Sequence, residues 1–156
     1  MSTCLVGSEM CIRDSAWCDN DFKKLLLEDG TKAVAQYDVK MGDLELKVIE
    51  NTPEVHNVVV CTLCSCYPRP VLGIPPAWYK SFNYRRRLIR EPRTVLKEFG
   101  TDIPEEIELR VHDSTADLRY LVLPMRPDQT KNMTEKELAS IVTRDSMIGV
   151  TTVRVE

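Results

Sequence analysis

An α+β fold is what this sequence predicts, and three observations carry that prediction. Alternating apolar–polar segments stand beside segments with apolar residues at helical spacing, mixed without strict βαβ order. The chain has 156 residues, 43% of them hydrophobic, and a net charge of −3, which suits one globular domain with a real core. Neither an internal repeat nor a low-complexity tract interrupts it.

The first segment, CLVGSEMCIRDS from Cys4 to Ser15, shows neither period. It is similar to translated sequencing-adapter readthrough, so residues 1–15 are read as a non-native or disordered leader and 16–156 as the folded domain. Phe22, Leu25 and Leu26 then predict a helix broken at Asp29-Gly30, and a second short helical run continues through Val34 and Tyr37. LELKVIE (44–50) alternates as a strand does. Thr52-Pro53 turns the chain, and EVHNVVV (54–60) is a second strand leading straight into Cys61.

YPRPVLGIPP follows, with prolines at 68, 70, 75 and 76, and predicts a stiff irregular wall, neither helix nor central strand. AWYKSFNYRRRLIR (77–90) resumes helical character. The next helix runs from Pro92 to Phe99, with proline in its first turn, Val95, Leu96 and Phe99 on one face, and Gly100 as its stop. EIELRVH (106–112) alternates with Ile107, Leu109 and Val111 on one face. Asp113-Ser114 reads as a turn, and LRYLVLP (118–124) as the partner strand. After the loop RPDQTKN, Thr134 and Glu137 form a capping box for a helix burying Leu138, Ile141 and Val142, and IGVTTVRV reads as a closing strand.

Composition excludes several classes of function. No basic stripe is interleaved with aromatics, so no nucleic-acid partner is expected. No run reaches the roughly 18 apolar residues a spanning helix needs, and no charged n-region with an apolar stretch opens the chain. A cytoplasmic protein without a membrane partner is the expectation. Setting the leader aside leaves Cys18 alone and Cys61, Cys64 and Cys66 clustered, which argues for a reduced compartment and metal chemistry. Cys18, at a helix start, reads as an inert small side chain.

The cluster is CTLCSC, residues 61–66. Two donor sets are open to it. A structural zinc site wants four ligands, usually two separated pairs, whereas this is one cluster; Cys18, His56 or His112 would have to complete it. Alternatively the thiolates of Cys64 and Cys66 join the deprotonated amide nitrogens of Ser65 and Cys66. That closes rings of five, five and six atoms into a planar N₂S₂ claw, with Cys61 as axial thiolate beneath it. Tetragonal N/S geometry belongs to transition metals with ligand-field preferences, and an open opposite position is what catalysis requires.

VVVCTLCSCYPRPVLGIPPAWYKS, YRRRLIREPRTVLKEFG, IELRVHDSTADLRYLVLPMRP and VTRDSMIGV together resemble the nitrile hydratase alpha chain, from about Ala16 to Val150. The resemblance implies that family's layered α/β/β/α fold, with its N-terminal helical arm largely missing. It implies hydration of a small nitrile to an amide, a lyase reaction, at a low-spin Co(III) centre. Thr62 and Tyr67 match the cobalt type, with iron the lesser alternative. Cys61, Cys64 and Cys66 would be thiol-derived ligands and Ser65 and Cys66 amide ligands, with Cys64 a sulfinate and Cys66 a sulfenate as catalytic groups. Arginines from a beta subunit would pair with those oxidised sulfurs, and a metal-loading activator protein is a further candidate partner. The nearest rival is the cobalt-bearing gamma chain of thiocyanate hydrolase, which shares the motif. A non-catalytic metal-binding module is the alternative from another class.

Other residues are weighed in the same way. Tyr67 and Trp78 are candidates for a substrate pocket, with core packing as the alternative for Trp78. Arg85, Arg86, Arg87, Arg90 and Arg93 read as a solvated helix face, or as inter-chain ion pairs. Asp113, Ser114 and Arg119 read as turn and strand residues. Arg69 stands where the family commonly has an aromatic, and an ungapped count puts Gly42 where it often has a glutamine.

Overall fold

A computed structural model describes residues 15–64, 66–134, 137–138, 141 and 143–153. A helical turn at 15–18 leads into α1 (Asn20–Glu28), whose first amides Asp21 and Phe22 are capped by the Asp19 carboxylate. Asp29 ends α1 and caps α2 (Gly30–Ala35) through Lys32 N, so the break at Asp29-Gly30 is a stop and a start in one residue. Gly30 is required by packing: a Cβ there would sit 2.6 Å from the Leu46 carbonyl oxygen, so α2 lies almost on β1 (Glu45–Glu50).

β2 (Val55–Val60) is buried along nearly its whole length, as a strand covered on both faces must be. Four helices follow: α3 (Arg69–Leu72), α4 (Ala77–Lys80), α5 (Phe82–Arg90) and α6 (Pro92–Glu98). β3 (Glu108–Asp113), β4 (Leu118–Leu123), a 3-10 turn (Asp128–Thr130) and α7 (Arg144–Ile148) complete the described elements. The sequence expectations for α1, α2, β1, β2, α6, β3 and β4 hold to within a few residues.

Strand pairing departs from the expected hairpin. β3 and β4 do not pair with each other. β4 runs parallel to β1, in the register Glu45↔Leu118 to Glu50↔Leu123, and β3 runs parallel to β2, from Val55↔Glu108 to Val60↔Asp113. The chain changes sheet twice, at 51–54 and at 114–117. Ser114 N still donates to Val60 O at 2.7 Å before the chain crosses to Glu45, whose amide donates to Asp117 O at 2.8 Å. The two sheets meet through β2 and β4; α1 and α2 cover β1, and α6 covers β3, giving an α/β/β/α stack within the α+β class.

Three further expectations change. The proline-rich segment holds a helical turn, α3, because Pro68 and Pro70 occupy its cap and first turn, where no amide bond is lost. The predicted helix 77–90 is two helices. Ser81 takes an extended ψ of 145° and its hydroxyl accepts from Tyr84 N at 3.2 Å, starting α5 afresh. IGVTTVRV is not a strand among its described residues: Ile148 ends α7, and Gly149 closes that helix with a φ of 96°. The Thr134 cap is present, its Oγ1 accepting from Glu137 N at 3.2 Å, with Leu138 buried; Val142 lies outside the described residues.

Candidate metal centre

β2 ends inside the core, and the loop 61–66 leaves from its end. Cys61 is fully buried and Cys66 nearly so, while Leu63 and Cys64 face outward, Leu63 at 82% exposure. The loop therefore has a buried base and a bare tip. The sulfurs of Cys61, Cys64 and Cys66 all lie within 4.8 Å of one another. Cys64 Sγ stands 3.6 Å from Cys61 Sγ and 3.0 Å from Cys66 Sγ, outside the roughly 2.05 Å of a disulfide bond. Cys64 N points at Cys61 Sγ at 3.3 Å, which curls the loop around that sulfur. Ser65 lies outside the described residues.

Burial pushes the Cys66 thiol up to about 12, reinforced by the neighbouring Cys64 and Cys61 sulfurs; the positive charge of Arg119 opposes the rise. A cation placed among the three sulfurs would displace thiol protons. Among the described residues no histidine or carboxylate joins the cluster. His56 is buried elsewhere, its Nε2 donating to Gly149 O at 2.7 Å, and His112 Nε2 donates to Asn57 Oδ1 at 2.8 Å. Cys18 is exposed and outside the cluster. Among the described residues, side chains here offer three sulfurs, whereas a structural zinc site wants four ligands.

The two ends of the loop are held by distant side chains. Tyr79 OH donates to Cys66 O at 2.6 Å, and Tyr84 OH to Val59 O at 2.7 Å. Arg85 donates from Nε to Cys61 O and from Nη2 to Thr62 O, each at 3.0 Å. Thr62 gives both its amide and its hydroxyl to the Asp113 carboxylate, at 2.9 and 2.6 Å. Tyr67 is buried, with its ring 5.0 Å from that of Tyr79. Trp78 is half-buried and packs edge-on against Tyr84 and Phe99 at the margin of the core.

The arginine run divides by position. Arg87 pairs with Glu91 and Glu98 on the surface, as a solvated face would. Arg85 instead binds the metal loop, and Arg93 binds the carbonyls of Ile103, Pro104 and Ile107. Sequence reasoning missed Asp113, Arg85 and Tyr79 as supports of the loop. Their partners stand many positions away in sequence, so no spacing announces them.

A family model described as nitrile hydratase, alpha chain, matches residues 2–151. The chain belongs to the nitrile hydratase alpha-chain family. This alpha chain is 56% identical over 146 residues to the low-molecular-weight cobalt-containing nitrile hydratase subunit alpha of Rhodococcus rhodochrous, covering 93% of the chain and 70% of that relative. It is 50% identical over 147 residues to the thiocyanate hydrolase subunit gamma of Thiobacillus thioparus, covering 86% and 60%. Among solved structures, a double mutant of the Fe-type nitrile hydratase from Comamonas testosteroni Ni1 superposes with a TM-score of 0.90 at 44% identity, covering 93% of this chain and 71% of that one. The Cys61, Cys64 and Cys66 cluster fits a metal site in a chain of this family.

Proposed function

We propose that this chain is the metal-bearing subunit of a cobalt-type nitrile hydratase, adding water across the carbon–nitrogen triple bond of a small nitrile to give the amide. The observation that carries the reading is three thiols from six consecutive residues gathered within 4.8 Å, in a chain of this family. Cys61, Cys64 and Cys66 would hold the metal through sulfur, and Ser65 and Cys66 through backbone nitrogen.

Cobalt is favoured over iron by Thr62 in the motif and by the R. rhodochrous relative, which is named cobalt-containing. When bound, a trivalent ion would supply Lewis acidity without changing oxidation state. The chain's own residues set the stage for it. Tyr79, Arg85 and Asp113 hold the loop backbone still, and the buried walls around Cys61 keep water from the base of the site. Cys64 as a sulfinate and Cys66 as a sulfenate would present charged oxygens that need cationic partners. A beta subunit supplying arginines would meet them at the loop's exposed tip and cover Leu63.

The test is purification with a beta chain, followed by elemental analysis, intact mass, and assays on small nitriles and on thiocyanate. Cobalt in the assembly, added oxygen on the alpha chain and nitrile turnover are expected. Zinc in tetrahedral sulfur-rich coordination would end the catalytic reading. Turnover of thiocyanate alone would move the chain to the gamma-subunit role of thiocyanate hydrolase.

A further inference from the structure

We infer that Asp113 is a positioning residue for the metal loop, and that the Thr62 hydroxyl acts by binding Asp113 and not by addressing the metal. The inference rests on the metal-loop reading above and deepens it. Its basis is geometric. β2 and β3 run in register to their last pair, Val60↔Asp113, and Ser114 N extends the ladder by donating to Val60 O. That register carries the Asp113 carboxylate to the point where the chain leaves β2 for the metal loop. There Asp113 Oδ1 accepts from Thr62 N at 2.9 Å and Oδ2 accepts from Thr62 Oγ1 at 2.6 Å. Both carboxylate oxygens and both donors of Thr62 are used in one pairing.

The opposite polarity of the same peptide units is taken up by Arg85 on α5. Its guanidinium binds the carbonyls of Cys61 and Thr62, each at 3.0 Å. The two peptide units that follow Cys61 and Thr62 therefore have their carbonyls held by a cation, while the amide entering Thr62 is held by an anion. Rotating either unit would break a hydrogen bond to a charged group. Cys61 supplies one sulfur of the cluster and Cys64 N closes on it, so the turn that brings Cys64 and Cys66 together starts from the segment these two charges fix. A threonine or serine at position 62 can serve Asp113; an isosteric valine cannot donate from its side chain.

The experiment compares Thr62→Ser, Thr62→Val, Asp113→Asn and Asp113→Ala with the parent, each purified with its beta chain. Cobalt content, the sulfur-to-metal absorption band and the rate of cobalt release to a chelator are read alongside thermal unfolding. Thr62→Ser is expected to match the parent. Thr62→Val and Asp113→Ala should each release cobalt about ten- to a hundredfold faster, the equilibrium worth of a hydrogen bond to a charged group. Combining them should add little to Asp113→Ala alone, because they remove one shared contact. Asp113→Asn, which keeps the volume and one acceptor, should fall between. Parent-like release and an unshifted band in both Thr62→Val and Asp113→Asn overturn the inference, whatever Asp113→Ala does to folding. A parent assembly that holds no cobalt refutes the underlying metal-loop reading instead, so the two failures are distinguishable.

Discussion

The Tyr79 hydroxyl donates to the carbonyl of Cys66 at 2.6 Å, tying the short helix α4 to the last residue of the metal loop. Tyr79 is fully buried, and burial with neighbouring thiols holds its phenol above the usual tyrosine range, so it stays a donor at any working pH. Tyr79→Phe keeps the ring packed on Tyr67 and leaves the carbonyl without this partner. The expected cost is about 1–3 kcal/mol in urea unfolding of the assembly, with lower cobalt retention. An unchanged midpoint and metal content would mean that the bond does no positioning.

Removing a sulfur should be far more severe at the site than in the fold. Cys64→Ser and Cys66→Ser each delete a proposed ligand, Cys64 from an exposed position and Cys66 from a buried one. Both variants should assemble with a beta chain, lose cobalt and show no nitrile turnover. Full activity in either would contradict the proposed ligand set.

Acid should weaken the fold through its histidines. His56 is buried with Nε2 donating to Gly149 O, and Asn51 Nδ2 faces its Nδ1 at 3.4 Å, so a proton added to Nδ1 would set donor against donor. Burial holds its pKa below the ordinary 6.5, outweighing the Gly149 bond. His112 is lowered too, by burial first and then by Arg110 and Lys47. The unfolded chain therefore binds protons more readily from pH 6.5 down to the folded-state values, and stability falls as pH drops through that window. Melting temperature should decline from pH 7 to pH 5, and His56→Gln should flatten the decline. An equal slope in the variant would remove His56 as the cause.

Gly149 is held by two independent demands. Its φ of 96° closes α7, and a Cβ there would lie 2.1 Å from Asn57 O and 2.8 Å from Val58 Cα, both backbone atoms of β2. Gly149→Ala should cost at least about 3 kcal/mol, measured by urea unfolding, because neither strand nor helix can yield without breaking its ladder. A variant within 1 kcal/mol or so of the parent would show that β2 and α7 are loosely joined.

Some features of this protein are written in short stretches of chain and were legible there. The Asp29-Gly30 break, the Gly100 stop and the alternation of 44–50 and 106–112 are of this kind, because breaks and faces are set by neighbours a few positions away. CTLCSC is of the same kind: six consecutive residues supply the whole sulfur cluster, so its chemistry could be read without a fold. Strand partners could not. Alternation reports which face of a strand is buried and says nothing of which strand lies beside it, so β3 and β4, adjacent in sequence, were paired wrongly. Their true partners, β2 and β1, are chosen by how the two sheets and their covering helices bury apolar surface together. The loop's supports belong to that level as well. Asp113 reaches Thr62, Arg85 reaches Cys61 and Tyr79 reaches Cys66 only because packing brings distant segments together. The sequence by itself determined what the metal loop is made of; the tertiary structure decided what holds it in shape, since hydrogen bonds between distant segments follow from packing and leave no periodic trace.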